Sequence, residues 1–329
     1  MRLPTWASDR LRAAAPDGWD VVVVESFSRS VGSGTNQPSE ETIAAVPGAE
    51  VYLGFGLSPE VIAAAPMLKW AQSVSAGITS SITPSLRASS IVFTNSAGVY
   101  AEGMADTVLA GVLHFVRGLD FAVRQQAQAL WSQKPFISAE TQLRELNECR
   151  VLVVGAGGIG SAVAQRFSAL GCVCTGIRRR PELGIPPGFS RIAGIDSLRT
   201  ELVTADVVVL AAPLTPSSNR VLDAGTLALL PPGAIVVNVA RGGLIVDDAL
   251  LAALDSGRVR GAVLDVFNTE PLPPDSVLWR HPCILISPHV SGVSPHRSWS
   301  RALDLFEDNW RRWVAGEPLR NVVDLDAGY

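Results

Sequence analysis

The segment Arg150-Val-Leu-Val-Val-Gly155-Ala-Gly157-Gly158-Ile159-Gly160 constrains this 329-residue chain more than any other. A run of aliphatic residues enters GxGxxG, and an Ala-rich helical pattern follows from Ser161 to Leu170. Strand, tight turn and helix in that order form the phosphate cradle of a doubly wound α/β sheet. Gly155 permits the turn, Gly157 lets backbone approach a pyrophosphate, and Gly160 lets the helix close on the strand. Gly158 and Ile159 complete the loop that leads into the helix, whose N-terminal free N–H groups and dipole favour an anion. A glycine-rich structural turn is the plainer alternative, but the flanking strand and helix favour a dinucleotide.

A chain this long predicts two domains. The net charge is −4 and no long basic run occurs, which argues against nucleic acid or anionic membrane as partner. No apolar stretch is long enough to span a bilayer, and residues 1–20 lack a signal-peptide core, so a cytoplasmic protein is expected. Cys149, Cys172, Cys174 and Cys283 match no zinc spacing, and no metal is expected. They read as buried free thiols, with Cys172 and Cys174 expected on opposite faces of a strand.

The first hundred residues alternate strand-like runs (Val21–Val24, Val51–Gly54, Trp70–Val74, Ile91–Thr94) with helical patterns. Ser58-Pro59-Glu60 is a helix start, with serine as cap and proline in the first turn. Ser28–Ser39 reads as a long polar loop. From Ala101 to Trp131, apolar residues recur at spacings of three and four, predicting one long spine helix. Six strands are predicted after it: the one opening at Val151, then Val173–Ile177, Val207–Ala211, Ala234–Val239, Ala262–Val266 and Ile284–Ser287. A helical tail from His296 to Trp313 can return to the first domain.

Four strand ends carry chemistry. Eighteen residues past Gly160, where an acid commonly holds the ribose hydroxyls, stand Arg178-Arg179-Arg180. Arginine there suits a 2′-phosphate, so NADP is expected over NAD; a solvated basic turn is the alternative. Arg241, flanked by Gly242 and Gly243 after a strand, has the planar fork that binds a carboxylate. Asp265 and Glu270 follow another strand, and His289 follows the last. Of the four histidines, His114 falls in the spine helix, His281 precedes a strand and His296 opens the tail helix. Only His289 combines a strand end with a glycine-containing turn. A carboxylate beside it would stabilise imidazolium as a proton donor.

In this order and spacing, these stretches resemble the D-isomer-specific 2-hydroxyacid dehydrogenase family. The resemblance extends to Ser75-Ala76-Gly77, Thr94-Asn95-Ser-Ala-Gly98, Ala211-Ala-Pro213-Leu-Thr215, Trp131, and the closing Gly316-Glu-Pro-Leu-Arg-Asn321-Val-Val-Asp. It implies two Rossmann-like, flavodoxin-like doubly wound lobes with parallel sheets and a cleft between them. Residues 1–100 with 292–329 would bind substrate, and residues 101–291 would bind NAD(P). It implies that His289 donates the proton, Glu270 pairs with it, and Arg241 binds the carboxylate together with the amides of Ala76 and Gly77. Pro213, Thr215, Val239 and Ala240 would line the coenzyme, and Asp265 would contact the nicotinamide carboxamide.

The chain departs from the family pattern at Arg178, at Thr79 in place of an aspartate, at Asp106 in place of a glutamate, and at Ser291 in place of an alanine. Gly54-Phe55-Gly56-Leu57 and Tyr100 are candidates for shaping substrate choice. The expected activity is reduction of a small 2-keto acid, such as glyoxylate, hydroxypyruvate or an aryl-pyruvate, to the D-2-hydroxy acid. The alternatives are a short phosphoglycerate-type dehydrogenase and a non-catalytic dinucleotide sensor. A long regulated form is not expected, because the sequence stops soon after Asn321-Val-Val-Asp. A homodimer is expected from the family's habit.

Overall fold

The computed structural model describes residues 3–24, 30–31, 35–138 and 141–326. They fall into two compact units, one of residues 1–100 with 294–329 and one of residues 101–293.

In the first unit, α1 (Thr5–Ala13) precedes a short antiparallel pair, β1 (Ser30–Val31) and β2 (Thr35–Asn36), and then α2 (Glu40–Ala45). β3 (Val51–Gly54), α3 (Pro59–Ala64), β4 (Trp70–Ser73), α4 (Pro84–Arg87) and β5 (Val92–Thr94) follow as parallel α/β units. The strands lie in the order β3-β4-β5. Ser58, Thr83 and Ser39 each cap the helix that follows, accepting a backbone N–H three residues on. The predicted strand Val21–Val24 does not form. Val21 packs on the Trp70–Phe306–Trp310 cluster, whereas Val22 is exposed, so burial is met without a ladder. The stretch Ser28–Ser39, read as a loop, contains the β1–β2 pair; part of it lies outside the described residues.

The second unit begins with α5 (Ala101–Val116) and α6 (Leu119–Ala127). These replace the single spine helix. Gly118 takes a left-handed φ of 69°, which ends one helix and turns the chain into the next. After α7 (Lys134–Ile137) come β6 (Arg150–Val154), α8 (Gly158–Ala169), β7 (Val173–Ile177), β8 (Arg191–Ala193), α9 (Leu198–Leu202), β9 (Val207–Leu210), α10 (Ala224–Leu227), β10 (Ala234–Asn238), α11 (Asp247–Asp255), β11 (Val259–Leu264) and β12 (Ile284–Ile286). The sheet is parallel, with the order β12-β11-β10-β9-β6-β7-β8. It has seven strands rather than six, because Arg191–Ala193 adds an edge to β7.

The order reverses between β6 and β9. That is a switch point, and ligands bind outside the carboxyl ends of strands there. One face of the sheet packs on α5 and α8 and the other on α9, α10 and α11. Burial on both faces explains why β9 and β10 read as unbroken apolar runs. Cys172 and Cys174 enter the same core cluster, correcting the opposite-face expectation, since residues two apart along a strand share a face. Burial pushes the Cys149 thiol up to about 11 and that of Cys174 to about 12, so both stay protonated.

The tail helix α12 (Pro295–Ala315) lies in the first unit. Its Phe306 stacks on Trp70 at 5.2 Å, and Arg10 of α1 reaches its Asp304 and Glu307 at 2.6 Å each. No helix among the described residues is long and apolar enough to cross a membrane.

Candidate active site

The residues picked out by sequence on the second unit all follow carboxyl ends of its parallel strands. After β6, Gly155 has φ 108°, and a Cβ there would come within 2.5 Å of the Ala212 amide. A Cβ on Gly160 would meet the Gly155 carbonyl oxygen at 2.0 Å. Both positions require glycine because backbone closes on backbone. Gly157 differs: a Cβ there would meet nothing within 4 Å. That open space lies at the N-cap of α8, where backbone N–H groups lack helical partners. The loop therefore fits a dinucleotide phosphate on steric grounds.

Arg178, at the end of β7, donates from Nη2 to the Gly184 carbonyl at 2.7 Å, pinning the turn behind it. Its Nε is buried without a partner. Arg179 is exposed. After β9, Ser218 Oγ donates to the Pro213 carbonyl at 2.7 Å and accepts the Thr215 amide at 2.8 Å. Ser218 thus holds the Pro213–Thr215 turn, a role that the sequence reading missed.

After β10, the buried Asn238 side chain clamps the next turn. It donates to the Arg241 carbonyl at 2.8 Å and accepts the Ala240 amide at 3.1 Å. Such an Asx turn was legible in principle from an asparagine at a strand end. Val239 and Ala240 are buried. Gly242 is required because a Cβ would sit 2.0 Å from the Phe267 carbonyl carbon. Arg241 is half-buried, and Nη1 donates to the Ala240 carbonyl at 2.6 Å, the one hydrogen bond of its side chain to the described residues. Burial lowers its pKa from the ordinary value, and the nearby Glu270 charge opposes that shift. The rest of its fork is free for an anion.

Glu270 Oε1 accepts the Phe267 amide at 2.9 Å, and Oε2 lies 2.7 Å from His289 Nδ1. A carboxylate only accepts, so Nδ1 carries the proton toward it and Nε2 is the outward nitrogen. His289 has a left-handed φ of 55°, and its side chain is 44% exposed. Asp265 holds this turn. Its buried carboxylate accepts from Ser287 Oγ (2.5 Å), the Val290 amide (2.9 Å), the Ser291 amide (3.1 Å to each oxygen) and Ser291 Oγ (2.5 Å). Its carbonyl accepts the His289 amide at 2.9 Å. Those bonds occupy both oxygens, so Asp265 holds the His289 turn in place. Ser287 and Ser291, neither given a role by sequence, complete that clamp.

In the first unit, the Ser75-Ala76-Gly77 loop follows β4. The amides of Ala76 and Gly77 have no acceptor among the described residues. No group of His, Cys, Asp and Glu among the described residues is arranged to hold a metal ion.

Residues 109–291 match the family model described as D-isomer specific 2-hydroxyacid dehydrogenase, NAD binding domain. A D-isomer specific 2-hydroxyacid dehydrogenase from Xanthobacter autotrophicus Py2, solved with NADPH and MES, is 31% identical. That match covers 98% of this chain and 95% of the other, with a TM-score of 0.77. An NADPH-dependent glyoxylate/hydroxypyruvate reductase from Sinorhizobium meliloti, solved with NADP and sulfate, is 28% identical over 86% of this chain and 87% of that one, with a TM-score of 0.75. A probable 2-hydroxyacid dehydrogenase from Rhizobium etli, solved with NADP, HEPES and L(+)-tartaric acid, is 26% identical over 85% and 86%, with a TM-score of 0.74.

Proposed function

This chain belongs to the D-isomer specific 2-hydroxyacid dehydrogenase family of NAD(P)-dependent oxidoreductases, and on that premise we propose that it reduces a small 2-keto acid to the D-2-hydroxy acid. The substrate class is glyoxylate or hydroxypyruvate, or an aryl-pyruvate. The observation that carries this reading is the 2.7 Å pairing of His289 with Glu270 at a strand end. When bound, the nicotinamide coenzyme supplies the hydride that reaches the keto carbon. His289 gives the Nε2 proton to the carbonyl oxygen as charge develops there, and the carbonyl π pair becomes the new O–H bond. Glu270 keeps the Nδ1 proton and fixes the ring. A positioned acid of this kind contributes roughly 10²–10⁴ in rate. Arg241 is the side chain assigned to the substrate carboxylate, and the Ala76 and Gly77 amides of the first unit are backbone donors suited to a carboxylate.

The cradle at Gly155, Gly157, Gly158, Ile159 and Gly160 holds the pyrophosphate, and Pro213, Thr215, Val239 and Ala240 line the coenzyme. We assign the 2′-phosphate of NADP to Arg178 and Arg179. The absence of any acid at the end of β7 supports this, and relatives solved with NADPH or NADP are consistent with it. A second copy of the chain would cover the apolar surface of α6 and α7. Trp131 there is 92% exposed and Ile137 74%, and both line an open hollow of about 750 Å³.

The test is the initial rate of NADPH and NADH oxidation with glyoxylate, hydroxypyruvate, phenylpyruvate and 2-ketoglutarate. His289→Ala and Arg241→Ala are expected to lose turnover while still quenching on NADPH binding. Full activity in either variant refutes the mechanism. A preference for NADH discards the assignment of Arg178, and NADPH binding without any turnover favours a sensor.

A further inference from the structure

Four consecutive carbonyls, from Ser73 to Ala76, are tied to the segment 95–100. The Ser73 oxygen accepts Ser96 Oγ at 2.8 Å, and the Val74 oxygen accepts the Tyr100 hydroxyl at 2.9 Å. The Ser75 oxygen accepts the Ser96 amide at 3.2 Å, and the Ala76 oxygen accepts Asn95 Nδ2 at 3.1 Å. These peptides are trans, so each N–H points opposite to the carbonyl of its own peptide unit. The Ser75 oxygen shares a peptide with the Ala76 amide, and the Ala76 oxygen shares one with the Gly77 amide. Drawing both oxygens toward Asn95 and Ser96 therefore turns both amides away from that segment, side by side and without an internal acceptor. Two neighbouring backbone N–H groups facing away from the same segment form a donor pair suited to an anion.

Asn95 is itself fixed. Its Oδ1 accepts the Ala97 amide at 3.1 Å, and its own amide donates to the Asn321 carbonyl at 3.1 Å. Asn321 Nδ2 donates to the Asn95 and Ala97 carbonyls at 3.2 and 2.9 Å. Asn95 is 7% exposed. Its side-chain amide is thus a buried donor spent on one carbonyl.

We infer that Asn95 is a positioning residue that aims the Gly77 amide, and with it the affinity for the carboxylate end of the substrate. The inference rests on the reading of the Ala76 and Gly77 amides as carboxylate donors. Asn95→Asp keeps the shape and the bond from the Ala97 amide, but sets a second acceptor against the Ala76 oxygen. That peptide is then free to turn.

The experiment uses the full chain with NADPH. The Kd of oxalate, a probe with no step of hydride transfer, is measured with KM and kcat for glyoxylate and the Kd of NADPH. In parallel, the shift of the Gly77 amide on oxalate addition is followed by ¹⁵N–¹H spectroscopy. For Asn95→Asp and Asn95→Ala we expect oxalate Kd and glyoxylate KM to rise roughly 10-fold or more, which is about one hydrogen bond to a charged group. The kcat and the NADPH affinity should stay near the parent values. A Gly77 amide that moves with oxalate in the parent while both variants bind oxalate normally overturns the role of Asn95 alone. A Gly77 amide that does not move in the parent overturns the carboxylate reading and the inference with it. Should Asn95→Ala fail to fold, the near-isosteric Asn95→Asp decides.

Discussion

Gly157 and Gly160 look equivalent in the motif, yet the structure predicts opposite consequences for adding one methyl group at each. At Gly160 the new Cβ would lie 2.0 Å from the Gly155 carbonyl oxygen and 3.0 Å from Val153 Cγ1. Backbone cannot yield as a flexible side chain does, so α8 must move off β6. Overpacking of this kind costs about 1–3 kcal/mol, or roughly 2–12 °C in Tm for a unit of this size. At Gly157 the new Cβ meets nothing within 4 Å, and the backbone, at φ −90° and ψ −158°, suits alanine. Gly157→Ala should therefore leave Tm within about 2 °C of the parent, since surface changes that break no contact stay near 0.5 kcal/mol. The methyl group instead occupies the space through which backbone would reach a phosphate. Losing one charge-assisted hydrogen bond costs about 1.5–3 kcal/mol, so NADPH binding should weaken roughly 10- to 150-fold. The assay pairs a thermal scan without coenzyme with a fluorescence titration by NADPH. A Gly157→Ala protein that binds NADPH like the parent, or that melts as low as Gly160→Ala, refutes the assignment of this space to the pyrophosphate.

Other consequences follow from the same geometry. Glu270→Gln must place its NH₂ toward either the Phe267 amide or the His289 ring, both donors, so one contact fails; kcat should fall roughly 10- to 100-fold, read in steady-state kinetics, and parent-like kcat would count against the pair. Asp265→Asn sets a donor among the four donors that now converge there, which should lower Tm and kcat together while leaving the NADPH Kd near the parent value; selective loss of NADPH affinity would instead point to a direct coenzyme contact for Asp265. The Asp223 carboxyl is held below the usual carboxylate range by its bonds from the Thr226 amide and hydroxyl. Its contribution is present above the unfolded carboxyl pKa and is lost as pH falls through the lower folded value. The stability gap to Asp223→Ala, about 1 kcal/mol for a helix cap, should be full at pH 7 and close in acid, as followed by denaturant melts; a gap that widens in acid would contradict the cap.

The parallel α/β character was legible because short-range rules govern it. Buried strands show as aliphatic runs, glycine spacing marks the β6–α8 turn, and Ser-Pro-Glu marks the start of α3. The candidate residues Arg178, Arg241, Glu270 and His289 were legible as rare polar groups at strand ends. The failures have local causes too. The apolar periodicity of the spine runs through Gly118, because periodicity does not register a left-handed φ. Val21–Val24 has the composition of a strand, but a strand needs a neighbour to pair with, and composition does not supply one.

By itself, the sequence determined the layer architecture, the glycine turn between β6 and α8 and the candidate polar side chains at strand ends, since each depends on residues within a few positions of one another. Tertiary structure alone decided what those side chains touch. Asp265 meets Ser287, Val290 and Ser291 only because β11 and β12 pair in parallel and end side by side. Asn95 reaches Ala76 only because β4 and β5 do the same. Hydrogen bonds are short and directional, so a partner some twenty residues away is fixed by strand pairing and register, which appear only once the sheet has formed.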